Sequence, residues 1–184
     1  MNRKWKKALA IGLMAMGIGA VSRQAQASST DTITLSVTPG NITYGVSISS
    51  PYASGYNFGQ VNLGATTIST LAIVVTATGA NIAEFFGLAV SNTSGNWTPA
   101  GAPGADQFRM TGWFNATQPL TTDFVTGDAL ATTVVAASGK YNESGKTNPL
   151  ASVNLWLRLD MPTTLNTGTL VAQTMTLTVT GQPN

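Results

Sequence analysis

The chain has no cysteine and no histidine. The first absence excludes disulfides, thiol nucleophiles and thiolate metal sites. The second removes the commonest general base, so Ser-His-Asp triads, Cys-His dyads and His-ligated zinc cannot be built. Charge is also scarce. Nine Lys+Arg and seven Asp+Glu make up 9% of 184 residues, where about a quarter is usual. No GxxxxGK[ST] phosphate loop or dinucleotide fingerprint occurs, and Gly139-Lys140 and Gly145-Lys146 read as loop punctuation. No cofactor is expected, and the chain is expected to be non-catalytic.

What is present begins with an address. Arg3, Lys4, Lys6 and Lys7 precede an uncharged apolar stretch at residues 8–21, and Ala25-Gln26-Ala27 supplies small residues at −3 and −1. This is the pattern of a cleavable signal peptide. The apolar stretch is shorter than the roughly 20 residues that a spanning helix needs. The expected organisation is a leader at 1–27 and one domain at 28–184, secreted or at the cell surface, the periplasm included. Subtracting the leader removes Arg3, Lys4, Lys6, Lys7 and Arg23. Four cations (Arg109, Lys140, Lys146, Arg158) then stand against seven carboxylates, so the whole-chain net of +2 becomes −3. Four scattered cations do not neutralise a run of phosphates, so nucleic acid is not an expected partner. No later stretch reads as transmembrane.

Period-two alternation dominates the remainder, and it marks half-buried strands. Ile33, Leu35 and Val37 alternate with Thr34, Ser36 and Thr38. Residues 42–48 alternate again, and Phe58, Val61 and Leu63 suggest a short strand. A longer run covers 68–78, with others at 86–90, 108–114, 133–137, 155–161 and 174–180. Residues 91–106 and 138–149 are rich in Asn, Gly, Pro or Ser and read as loops. Residues 121–131 suggest a single helical turn. The expected fold is an all-β antiparallel sandwich of about 7–10 strands, immunoglobulin-like or jelly-roll-like. Phe58-Gly59-Gln60-Val61-Asn62-Leu63-Gly64, followed by 68–75 and Thr78-Gly79-Ala80-Asn81, resembles immunoglobulin-like β-sandwich modules of bacterial surface proteins. The closing 155–164 and 176–181 segments resemble the last hairpin of such modules. The resemblance covers about half of residues 28–184 and departs from the pattern at Thr76-Ala77. It implies a structural or adhesive unit and carries over no site residue.

Candidate sites are few. A glycosidase needs two carboxylates roughly 5–10 Å apart, and Glu84, Asp106, Asp123, Asp128, Glu143 and Asp160 are the available donors. The simpler expectation is that Asp106 and Asp128 serve turns and the others are solvated. Asp123 and Asp128 could contribute loop oxygens to a calcium site, although the spacing of an EF-hand loop is missing. Trp97, Trp113 and Tyr141, with Tyr52 and Tyr56, are candidate glycan contacts, since aromatic faces stack on sugars. The simpler expectation is that Trp113 or Phe114 is core and that Trp97 plugs an end of the sandwich. Five Asn-x-Ser/Thr tripeptides, at Asn41, Asn92, Asn96, Asn115 and Asn142, would be glycosylated only in a host with the enzyme. The leading functional expectation is a surface structural subunit whose partner is another copy of itself or another surface protein. Copies would join by β-strand addition, with Ile33, Leu35 and Val37 as the donated stripe. A carbohydrate-binding or adhesive module is the alternative.

Overall fold

Threonine, valine and isoleucine alternate through this chain, and the β-branched side chains that disfavour helices pack well on a pleated sheet. The computed structural model describes residues 34, 36–37, 42–49, 55–79, 81–125, 128–133, 147–166 and 171–183. By its contacts the chain divides into two units, Met1–Gly40 and Asn41–Asn184. Of the first unit only Thr34, Ser36 and Val37 are described, and all three are exposed. The second unit is all-β. Its strands are β1 (Val46–Ser49), β2 (Thr66–Ile68), β3 (Ile73–Ala77), β4 (Glu84–Asn92), β5 (Thr98–Pro99), β6 (Gln107–Phe114), β7 (Ser152–Asp160) and β8 (Met175–Pro183).

Six strands form one sheet in the order β1-β3-β7-β6-β5, with β2 pairing the far half of β7 beyond β3. β4 and β8 form a second, two-stranded sheet, in register from Glu84↔Pro183 to Asn92↔Met175. Among the described residues every strand pair is antiparallel except the two-residue β5–β6 contact, which is parallel. The sheets enclose one apolar core. Val75, Phe86, Leu88, Phe108 and Leu155 are wholly buried in it, as a β-sandwich requires. Gly112 of β6 allows the close approach of the sheets, because a Cβ there would lie 2.5 Å from Leu88 Cδ1 of β4. Phe86 and Phe114 meet across the sheets with ring centroids 5.7 Å apart.

The structure alters several sequence expectations. The run at 68–78 is two strands, because Ser69 interrupts it. The Ser69 N–H donates to the Leu157 carbonyl (2.8 Å), and the Ser69 hydroxyl accepts the Leu157 N–H (3.0 Å). A side chain thus substitutes for one backbone rung of the ladder. Phe58, Val61 and Leu63 form no strand. Gly59 and Gly64 both have φ of +71°, a left-handed turn conformation incompatible with extended pairing. The loop at 91–106 contains β5. At 121–125 and 128–131 there are turns and no α-helix, with Asp123 N–H on Leu120 O and Asp128 N–H on Val125 O, both at 3.0 Å. The expected strand at 133–137 lies outside the described residues except for Thr133, which is not in a strand.

Candidate functional site

β1 and β8 are the outermost strands of their sheets on one side of the sandwich, and each is paired along one edge alone among the described residues. The inward side chains report the difference between these strands and their neighbours. On β4, Phe86, Leu88 and Val90 are at most 1% exposed. On β8, the equivalent Met175, Leu177 and Val179 are only half-buried. The larger sheet repeats this pattern, with Ile73, Val75 and Ala77 of β3 buried and Val46 and Ile48 of β1 half-buried. Two apolar lips therefore face each other along one seam. Covering such side chains fully is worth about 1 kcal/mol each, half of a full burial.

The seam is closed at one end. Glu84, at the start of β4, is wholly buried. Its carboxylate accepts the Gly45 N–H at 3.1 Å on each oxygen and the Gly79 N–H at 2.9 Å. Gly45 precedes β1 and Gly79 follows β3, so a side chain from the small sheet binds the backbone of the large one. Gly181 of β8 completes the contact. A Cβ there would lie 2.6 Å from Glu84 Oε2 and 3.2 Å from the Gly45 carbonyl carbon. Glycine at these positions lets the backbones of β1 and β8 converge. Beside them Asn81 Oδ1 accepts the Thr43 N–H at 2.9 Å.

Away from this clamp the seam opens into a cleft of about 1010 Å³. Its walls include Ile48, Trp97, Met110, Met161, Met175 and Leu177, and its described lining contains no Asp, Glu, Lys or Arg. All three methionines beyond residue 16 are among those walls, and thioether side chains adapt to irregular apolar partners. Tyr56 and Phe58, also in its lining, pack edge to face at 4.8 Å. Asn92 Nδ2 donates to Gln173 Oε1 (2.9 Å) and to the Trp97 carbonyl (3.0 Å), tying the end of β4 to the approach of β8.

The other edges are covered or short. β4 exchanges backbone hydrogen bonds with Thr147 on its outer side (2.9 and 2.8 Å), and its Val90 N–H reaches the Ala131 carbonyl (2.9 Å). The outer side of β6 receives β5 and then the Leu130 N–H on the Met110 carbonyl at 2.8 Å. β5 itself is two residues long and ends in Pro99, a protected edge.

The candidate residues fall in several places. Ile33 and Leu35 lie outside the described residues, whereas Val37 is 90% exposed. Tyr141 also lies outside them. Trp97 is 7% exposed and belongs to the core, so its ring presents little face to a sugar. Trp113 is half-buried in β6 opposite Trp156. Trp156 is buried on the outer face of β7, where its indole N–H donates to the Asn115 carbonyl at 2.9 Å.

Two carboxylates expected in solvent are instead buried: Glu84, in the clamp, and Asp160, at 2% exposure. Asp160 accepts hydrogen bonds from Thr66 Oγ1 (2.5 Å), Arg109 Nε (2.6 Å) and Arg158 Nε (2.9 Å). Burial alone would raise its pKa. The three hydrogen bonds and the Arg109 charge outweigh that effect and hold the group below its ordinary value. Every partner in this cluster is a neighbouring strand residue, and it fastens β2 and β6 to β7. Asp106 sits at φ +53° and accepts the Asn166 N–H at 3.2 Å on both oxygens, a turn role. Asp123 Oδ2 accepts the Leu120 N–H at 2.7 Å. Among the described residues no three His, Cys, Asp or Glu converge as metal ligands, and no helix is long and apolar enough to cross a membrane.

The seam itself was not foreseen from sequence. Met175, Leu177 and Val179 read as an ordinary alternating strand, and nothing in that pattern says whether the inward face is fully covered. Compared with known families and curated proteins, the chain matches no family model and no curated relative.

Proposed function

We propose that this protein is a non-catalytic structural subunit of a secreted or cell-surface assembly, in which copies associate by β-strand addition at the seam between β1 and β8. The observation that carries this reading is the matched exposure of the two lips. Val46 and Ile48 on one sheet, and Met175, Leu177 and Val179 on the other, are packed on the core yet only half covered. Strand addition supplies what such a seam lacks, since main-chain hydrogen bonds satisfy the free edge and alternate side chains fill the apolar gap. The donor in this reading is the segment at residues 28–38, whose Ile33/Leu35/Val37 stripe has the same period and length as Met175/Leu177/Val179. Each trio spans five residues, four steps and about 13 Å of extended chain.

The lining supports a structural role over a catalytic one in the same cleft. It offers apolar groups, amides and hydroxyls, with Tyr56 as its one titratable side chain among the described residues, whereas general acid–base chemistry most often uses His, Asp or Glu. The leader-like residues 1–27 support export, and the scarcity of charge supports association rather than dispersion, since charged edge residues are a usual defence against strand pairing.

Light scattering and electron microscopy of the protein purified after export test the reading. Multimers or filaments are expected at micromolar concentration, and deletion of residues 28–38 should return them to monomers. A protein that stays monomeric at high concentration, with or without that segment, would falsify the reading.

A further inference from the structure

Resting on that reading, we infer that β8 is the acceptor strand, that the occupant is residues 32–38 of a second copy, and that the Glu84 clamp sets how far it enters. No described residue pairs the outer edge of either lip, yet the two are unequal. β1 is four residues long, whereas β8 offers nine, all already held in register by β4. The sheet containing β8 has two strands among the described residues. A two-stranded sheet alone is marginal, and a third strand on β8 would add backbone hydrogen bonds and cover for its half-buried side chains. Addition to β8 completes the deficient sheet, whereas addition to β1 would extend one that is already wide.

The edge is also undefended. Met175–Pro183 carries no charged residue, and its outward positions Thr176 and Thr178 suit a strand. The donor segment matches it in chemistry. One face is Ile33, Leu35 and Val37, the other is Thr34, Ser36 and Thr38, and no charge lies between 32 and 38. Val37, the described member of the stripe, is 90% exposed in the single chain, so its apolar surface has no cover there.

The clamp supplies the register. β1 and β8 converge where Gly181 meets the Gly45 carbonyl group, with the Glu84 carboxylate beside them. A strand entering from the cleft mouth meets backbone at that point and stops. Between mouth and stop, β8 presents three inward positions, Met175, Leu177 and Val179, and the donor presents three side chains. A one-residue slip would turn all three outward, so the seam selects one facing.

The absence of cysteine makes the test clean. The full chain is co-expressed with its leader in an exporting host as two differently tagged versions. One carries Ser36→Cys on the outward face of the donor. The other carries Thr176→Cys, Thr178→Cys or Thr180→Cys on β8, or Ser47→Cys on β1. Side chains directly opposite on a sheet face lie within disulfide reach, and diagonal ones do not. The expected result is a mixed-tag disulfide dimer with one β8 position and loss of that product with its neighbours and with Ser47→Cys. Linkage to Ser47→Cys in place of β8, or multimers with no β8 linkage, overturns the acceptor assignment while leaving strand addition standing. Placing Ser36→Cys and the reactive β8 cysteine in one chain should give a ladder of covalent multimers. A closed monomeric disulfide overturns the second copy as occupant. Light scattering on the same samples separates these failures from that of assembly itself, in which no multimer forms and both proposals fall.

Discussion

Glu84 Oε1 accepts the backbone N–H of Gly79 at 2.9 Å, so a wholly buried carboxylate from the small sheet acts as a hydrogen-bond acceptor for the end of the large one. The same carboxylate takes the Gly45 N–H. The Glu84 side chain therefore joins the two sheets of this sandwich directly at this end.

Replacing Glu84 with Ala should be among the most damaging single changes in the protein. It leaves two N–H groups without their acceptor, at about 1–3 kcal/mol for each that stays dry. We expect a loss of about 2–5 kcal/mol, read as a lower urea midpoint. Gln keeps one acceptor oxygen and should cost less. Gly79→Ala should also destabilise, because its Cβ would meet Glu84 Oε1, the Thr43 carbonyl and, at 2.7 Å, Tyr44 Cα. An unchanged midpoint for both Glu84→Ala and Gly79→Ala would show that the clamp carries no stability.

Asp160 makes stability depend on acid. Its pKa is lowered in the folded state from an ordinary value of 3.8. A depressed carboxylate contributes stability that is fully present above the unfolded pKa and is lost as pH falls through the folded one. Between pH 5 and 7 this contribution should be flat, and it should decline below about pH 4. Asp160→Asn should remove that acid limb and leave Arg109, itself 9% exposed, without its counter-charge, at about 3–5 kcal/mol near neutrality. Equal acid sensitivity of wild type and Asp160→Asn, in midpoints measured from pH 2.5 to 7, would contradict it.

Trp97 distinguishes core from binding platform. It is 7% exposed and lies in the core cluster. Trp97→Ala should cost about 3–5 kcal/mol, and Trp97→Phe should recover much of that. A glycan platform predicts the reverse, with sugar binding lost and the unfolding midpoint unchanged. Thermal unfolding of the two variants beside a glycan array decides between them.

Period-two alternation revealed the strands because side chains on a pleated sheet must alternate, whatever their partners. It located β4, β6, β7 and β8 to within a few residues. It failed where backbone chemistry overrides pattern. The Ser69 hydroxyl splits an apparently continuous run by entering the β7 ladder, and the left-handed Gly59 and Gly64 turn an apolar stretch into a loop. It was also silent on Glu84. A glutamate at the start of a strand reads as solvated, and its burial depends on Gly45, Gly79 and Gly181 converging from three distant parts of the chain. The seam was hidden for a related reason. Whether Leu177 is fully or half covered depends on what lies across from it, and that is a property of topology.

Leu177 is consequently the residue that separates folding from assembly. It is half-buried on the β8 lip, so a carboxylate placed there keeps part of its hydration in a single chain. Leu177→Asp should therefore lower the unfolding midpoint only modestly, by about 1–2 kcal/mol. In an assembled seam the same group would be covered by the donor stripe with no cation in the described lining to pair it. Burying an unpaired polar group costs at least about 2 kcal/mol, which corresponds to an affinity loss of roughly thirtyfold or more. The neighbouring Thr178→Asp places its charge on the outward, exposed face of the same strand, where it stays hydrated in the assembly, so it should weaken assembly less than Leu177→Asp does. Sedimentation of the two variants across a concentration series measures both. Equal effects, or a Leu177→Asp protein that assembles like the wild type, would show that the seam is not the contact surface.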